Sequence, residues 1–328
     1  MELCRGSRYL RSVLSTFIKE LDEITDGDAS AEAILDSAID VEHIWHMCEI
    51  FLLSPPTKLM SLEVAKWLKS CGKQVFMEHV GRDILSMAQP ELYEGTSGGG
   101  MSYWAAVHAL AMQGDLHDCW ELLSLHSKIA GASGMSLVSS VSTRSSSSSS
   151  STRRTGLEAQ AVEKLQNLLT SHPYAPLSAD STDYNDDSLA SNSNLSAELQ
   201  AWKGRVEAFR TSQAGAALLG RIPELSVLVG VLDGDEEALS STAGPGNWEA
   251  VAVARLLYVY APPLSRPNLC KILENAMALK AEAPSDGDGN NVRGWLRSIM
   301  RGQVGPAVRA MYEHCSSVSL GESMVQIP

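Results

Sequence analysis

The densest set of ligand-type side chains in the chain is Glu42-His43, His46 and Cys48-Glu49. On an α-helix His43 and His46 stand three residues apart and can share a face, as zinc ligands sometimes do. A metal-dependent hydrolase built on them would need a matching ligand pair elsewhere, and the sequence offers none. Cys48 also falls on an apolar stripe, so the set is expected to be the core and rim of a helix. His117 and Cys119, beside Trp120, have nothing nearby to complete a constellation and are read in the same way.

Other chemical motifs break at the position that matters. Asp286-Gly287-Asp288-Gly289-Asn290 begins like a calcium loop, but its sixth position is Asn291 instead of glycine and its twelfth is Arg297 instead of an acid. Gly98-Gly99-Gly100 has no following lysine and no preceding strand, so it does not form a phosphate cradle. There is no GxSxG or HExxH. The expectation is a protein that is not an enzyme, with no catalytic, cofactor-binding or metal-binding residues and no cofactor. Arg153-Arg154-Thr155 follows seven consecutive serines, Ser145 to Ser151, and reads either as a phosphorylation site or as an unregulated low-complexity insert. Asn194-Leu195-Ser196 has the form of a glycosylation acceptor, without a secretory signal to give it access to that chemistry.

Composition narrows the class further. Hydrophobic residues are 44% of 328, enough to bury a core, but only four Phe and eight Tyr stand against abundant Leu, Ala and Met, which favours helices. The net charge is −13, and a share of the acids lies in two loop-like stretches, 172–194 and 282–291. Without a clustered basic face, direct nucleic-acid binding is not expected. Six widely spaced cysteines with no CxxC read as reduced core thiols of an intracellular protein. The polar N-terminus, with Arg5, Arg8 and Arg11, is not a signal peptide, and no apolar run approaches the roughly 20 residues of a membrane span.

The elements follow from periodicity. Ile34, Ala38, Val41, Trp45, Cys48 and Leu52 step by threes and fours, predicting a helix over 31–53 with that stripe inward. A helix is expected before it, from Ser7 to about Ile24, and a pair after it, across 57–88, broken near Cys71-Gly72. Gln113-Gly114-Asp115 predicts a helical hairpin in which Gly114 ends one helix in the left-handed region and Asp115 caps the next, which reaches about Ile129. The device recurs at Asp233-Gly234-Asp235 and, more loosely, at Met300-Arg301-Gly302, with Pro306 suited to a first helical position. Further helices are expected over 156–171, 195–213, 247–261, 265–280 and 304–316. The hairpins keep no fixed period, which excludes a regular repeat array, and no stretch alternates as a strand would. The fold class predicted is therefore all-α, an irregular α-helical solenoid of antiparallel helix pairs. Its expected parts are 1–130 and 195–318, separated by a Ser-rich disordered insertion at 131–155, a short helix at 156–171 and an acidic, polar loop at 172–194, with a tail at 319–328.

Four blocks in sequence order resemble a known family. They are HIWHMCEIFLL from His43 to Leu53, YWAAVHALAMQGDLHDCWELLS from Tyr103 to Ser124, LSAELQAWKGRVEAF from Leu195 to Phe209, and the run from Pro223 to Pro262 that includes PELSVLVGVLDGDEEAL and NWEAVAVARLLYVYAP. Together they resemble the nuclear-pore nucleoporin eighty-five family of the Y-shaped outer-ring complex. The resemblance implies a fold-back helical solenoid of the ancestral-coatomer type, acting as a structural constituent of the nuclear pore at the nuclear envelope and supporting mRNA export and protein import. It implies other outer-ring nucleoporins as partners. In the family an N-terminal segment supplies a blade to a Sec-thirteen-like β-propeller; here helices are expected within the first ten residues, and family members continue past Glu322. The chain is accordingly expected to be a fragment or an incomplete gene model, and binding of the propeller is left open. The competing reading is a generic helical adaptor, or a vesicle-coat-like scaffold, that binds partner proteins.

Overall fold

A computed structural model describes residues 2–24, 29–53, 60–80, 89–93, 101–132, 149–174, 195–244, 247–279 and 296–303, with isolated positions 84, 305 and 309. Among the described residues there is no strand. The helices are α1 (Glu2–Ile24), α2 (Ala29–Cys48), α3 (Met60–Val80), α4 (Tyr103–Gln113), α5 (Leu116–Ser124), α6 (Ser127–Ala132), α7 (Ser149–Thr170), α8 (Leu195–Thr211), α9 (Gln213–Arg221), α10 (Pro223–Asp233), α11 (Glu236–Thr242), α12 (Trp248–Ala254) and α13 (Arg266–Leu279). A 3-10 turn occupies Pro90–Leu92, and π-helical turns extend α2 through Glu49–Leu53 and α12 through Arg255–Val259. The fold is all-α, an irregular solenoid of antiparallel pairs such as α4 with α5 and α10 with α11.

The chain divides into two compact units, one of Met1–Trp67 with Leu264–Pro328 and one of Leu68–Pro263. The first unit thus joins the two ends of the chain, so its parts do not follow sequence order. Several expected boundaries also move. No break occurs at Cys71-Gly72, because α3 runs unbroken from Met60 to Val80. A mid-helix glycine costs about 1 kcal/mol, and the burial of Leu62, Val64, Ala65, Trp67 and Leu68 along the same helix outweighs it. α6 continues through Ala132 and α7 starts at Ser149, so both helices extend into the stretch expected to be a disordered insertion. The helix expected to reach Ile129 stops at Ser124 and restarts at Ser127. The helix expected over 195–213 is α8, which ends at Thr211, and a further helix that was not expected, α9, lies between it and α10. Positions 175–194, 280–295 and nearly all of 304–328, including the expected helix at 304–316, lie outside the described residues.

The stripe predicted for 31–53 is rotated. Ile34, Trp45 and Leu52 are exposed, whereas Leu35, Ala38, Ile44, Met47, Ile50 and Phe51 are buried. The mismatch is already present at Ile34 and Trp45 in the regular part of α2, where the neighbouring Leu35 and Ile44 are buried instead; the π-helical turn at Glu49–Leu53 bears only on Leu52.

The hairpin turns behave as the glycines predict. Gly114, Gly234 and Gly302 all have φ between 76° and 80°. In each, the glycine N–H donates to the carbonyl three residues back and the next N–H donates to the carbonyl five back, at 2.8–3.1 Å. Capping differs between them. The Asp235 carboxylate accepts from the Glu237 N–H at 2.9 Å, as expected, but Asp115 makes no such bond and instead takes Lys69 Nζ of α3 at 2.6 Å. A long-range cation outcompetes the local amide there.

Candidate functional site

The polar groups singled out by sequence serve as joints between helices. In the first unit the Trp45 indole N–H donates to Ser7 Oγ at 3.0 Å, and Ser7 Oγ donates to Glu49 at 2.5 Å. Arg11 Nε reaches the other Glu49 oxygen at 3.2 Å. This relay fastens α1 to α2 and its π turn, and it uses up the acid that a metal would have needed. His46 is held at a pKa of about 3, first by burial and then by Arg11 and His43, so its ring is neutral. Burial and the adjacent Glu49 carboxylate push the Cys48 thiol up, which keeps it protonated. The His43 carbonyl accepts the Trp67 indole N–H at 2.8 Å, joining α2 to α3.

His117 and Cys119 point to different environments. His117 is exposed and pairs with Glu121 one turn on at 3.4 Å, while the Cys119 thiol is fully buried and directed at the Val107 carbonyl at 3.6 Å. Among the described residues no group of three or more His, Cys, Asp or Glu could hold a metal ion. Gly98–Gly100, the 286–290 loop and Asn194 lie outside the described residues, as do the side chains of Arg153, Arg154 and Thr155.

Sequence reasoning missed the centre of the second unit. The π-helical turn Arg255–Val259 sits where two hairpin turns converge: a Cβ on Gly114 would lie 2.4 Å from Leu257 Cδ1, and one on Gly234 would lie 2.9 Å from Val259 Cγ2. The glycines are needed for left-handed backbone and for this close approach together. Between them Tyr258, fully buried, donates its hydroxyl to the Ala111 carbonyl at 2.6 Å, which supplies a partner near the end of α4. Trp202 of α8 stacks on Tyr258 with ring centres 5.9 Å apart and donates its N–H to the Leu168 carbonyl of α7 at 2.9 Å. His172 stands edge-on to Trp202 at 4.5 Å, accepts the Tyr174 N–H on Nδ1, and is held at a pKa of about 3 by burial. His108 Nε2 lies 3.0 Å from the Glu224 carbonyl, so that nitrogen carries the proton and ties α4 to α10.

These bonds set a testable scale. Tyr258→Phe keeps the ring stack and removes the bond to Ala111, whose carbonyl retains only the Gly114 N–H. The expected cost is about 0.5–1.5 kcal/mol, read as a lower urea midpoint at unchanged slope.

A groove of about 290 Å³ opens in the second unit beside Leu68, Ala105, Met112, Ala243, Ala250 and Val253. It is mostly apolar, with Lys69 and Glu249 at its sides. No described helix is long and apolar enough to cross a membrane.

Helix pairs whose polar side chains are spent on joints, with glycines shaped for contact, define a helical scaffold protein. The model of the Nup85 nucleoporin family matches residues 1–320, nearly the whole chain, and the chain belongs to that family. The family is a structural scaffold and a component of the nuclear pore complex at the nuclear envelope. No curated protein matches the sequence.

Proposed function

We propose that the chain is a structural member of the outer ring of the nuclear pore, within the Y-shaped complex, and that it supports mRNA export and protein import by holding neighbouring subunits in place. The observation that carries this reading is the family match over residues 1–320, joined to a fold whose polar side chains cross-link helices. The mechanism is geometric: buried stripes fix each helix pair, and outward faces meet other proteins. Other outer-ring nucleoporins are the proposed partners, with a Sec-thirteen-like β-propeller as a further member of the same assembly. The chain carries out no chemistry and needs no cofactor in this reading. Affinity purification of the endogenous full-length protein after cross-linking tests it. Outer-ring nucleoporins and the propeller are expected as the dominant partners; recovery with a different pore substructure, and not with these, would overturn the outer-ring assignment.

The apolar groove favours a second reading, a helical adaptor that takes up a short peptide. Retention of the ring partners by a Val253→Arg variant would leave the groove outside ring assembly.

A further inference from the structure

Helices α7 and α8 enclose a second groove in the second unit, of about 250 Å³. Lys164, Asn167, Leu168 and Ser171 line one side at helical spacing, and Arg205, Ala208 and Phe209 line the other. Leu168 and Phe209 are buried at its floor, while Lys164, Asn167 and Arg205 stand exposed at its rim. The two helices are tied together at this point: the Trp202 indole N–H donates to the Leu168 carbonyl at 2.9 Å, and Arg205 donates to the Ser171 carbonyl at 3.4 Å. Lys164 lies seven residues before Ser171, about 10 Å along the axis, so the two cations mark opposite ends of the groove.

The lining holds two cations and no acid. Among the described residues neither cation pairs with a carboxylate, although Lys69, Arg210, Arg221 and Arg255 of the same unit each do. Arg205 gives one N–H to Ser171, and the Lys164 ammonium and the Asn167 side-chain amide have no partner among the described residues. The nearby acids lie elsewhere. Glu163 stands about a quarter turn round α7 from the lining residues, Glu207 is on the opposite side of α8 in its pair with Arg210, and Glu158 is held by Arg221. Glu198 shares the groove side of α8 but lies two turns before Arg205, about 10 Å along the axis. The mouth therefore offers hydrogen-bond donors and positive charge above an apolar floor, in a chain whose net charge is −13. Carboxylates match both rim cations through charge-assisted bonds. A nucleic acid would need a longer basic track than two side chains, and a lone phosphate would leave the apolar floor uncovered.

We infer that the α7–α8 groove binds an acidic segment of a partner protein, one carboxylate on Lys164, another on Arg205, and an apolar side chain between them on Leu168, Ala208 and Phe209. Carboxylates three residues apart in an extended chain stand about 10 Å from each other, the span of the two cations along α7. The inference rests on this groove alone and is independent of the outer-ring reading. Two exposed charge pairs and one apolar side chain make a weak contact, with a dissociation constant on the order of 100 µM.

Fluorescence anisotropy at about 50 mM salt tests this, with the full chain titrated from about 5 to 500 µM against a fluorescein-labelled decapeptide that carries Glu-Leu-Ser-Glu among Gly and Ser. The peptide with Gln in place of both Glu is expected to bind at least tenfold more weakly, and the one with Ser in place of Leu at least threefold. Lys164→Gln and Arg205→Gln are each expected to weaken binding at least threefold at unchanged urea midpoints. Lys271→Gln, an equal loss of charge at an exposed residue of the first unit, leaves it unchanged. No binding up to 500 µM, equal binding of the Gln peptide, or full binding by the double variant Lys164→Gln with Arg205→Gln overturns the proposal. Replacement of Asp180, Asp183, Asp186 and Asp187 by Asn is expected to change the affinity less than twofold; a tenfold gain would give the groove to the chain's own acidic stretch. A decathymidylate that binds more tightly than the peptide, and is lost in the double variant, would give it to single-stranded nucleic acid. Either result overturns the partner segment.

Discussion

Gly215→Ala is expected to cost at least about 3 kcal/mol, while Gly220→Ala, five residues along the same helix, is expected to be neutral or stabilising. The corner between α8 and α9 is the reason. Ser212 caps α9 by accepting the Gly215 N–H at 3.0 Å and donates its own hydroxyl to the Phe209 carbonyl at 2.8 Å. The chain is thereby folded so tightly that a Cβ on residue 215 would lie 1.9 Å from that carbonyl oxygen. The obstacle is backbone, which no rotamer change moves aside, and Phe209 itself is buried. Overpacking of a well-filled site costs typically 1–3 kcal/mol and more where the backbone must shift. Gly220 meets nothing within 4 Å, so there alanine acts only through helix propensity, worth up to about 1 kcal/mol in its favour. Urea denaturation of both variants against the parent measures the contrast. Equal midpoints for the two would show that the corner relaxes freely.

Mild acid is expected to destabilise both units through two neutral histidines. A free histidine side chain titrates near 6.5, and burial holds His46 and His172 at about 3 in the folded chain. The unfolded chain therefore binds protons that the folded chain refuses once the pH drops below 6.5. The stabilisation is complete above that value and is lost progressively down toward pH 3, at up to 1.36 kcal/mol per pH unit per group. From pH 7 to pH 5 this amounts to roughly 2 kcal/mol for His172, and somewhat less for His46, whose ring is partly open to water. Urea midpoints across that range report the sum. His172→Gln, which cannot titrate, is expected to flatten the profile by about half; an unchanged slope in that variant would place the sensitivity elsewhere.

The sequence was informative where structure is decided within one turn of chain. Gly114, Gly234 and Gly302 were readable as left-handed helix ends because the requirement is local, and Asp235 could be read as a cap for the same reason. Asp115 could not, since the Lys69 that claims its carboxylate lies 46 residues away. The α2 stripe failed by one position from Ile34 onward, because Leu35 and Ile44 are as apolar as Ile34 and Trp45 and the packing of neighbouring helices decides which of each pair is covered. The α8–α9 corner was missed although Ser212 with Gly215 is a sequence signal, because Thr211 to Arg221 carries on in helix-forming residues. The joint of Tyr258 with Ala111 spans 147 residues; nothing in local spacing could announce it. For the reactive-looking residues the decisive fact was also tertiary, since Ser7 and Arg11 take up Glu49 from another helix.

Because the two glycine turns of the second unit both rest on Arg255–Val259, a pull on either hairpin is felt by the same five residues. The pairs on each side cannot yield one after the other. Under tension this unit should hold stiffly and then give way in a single step.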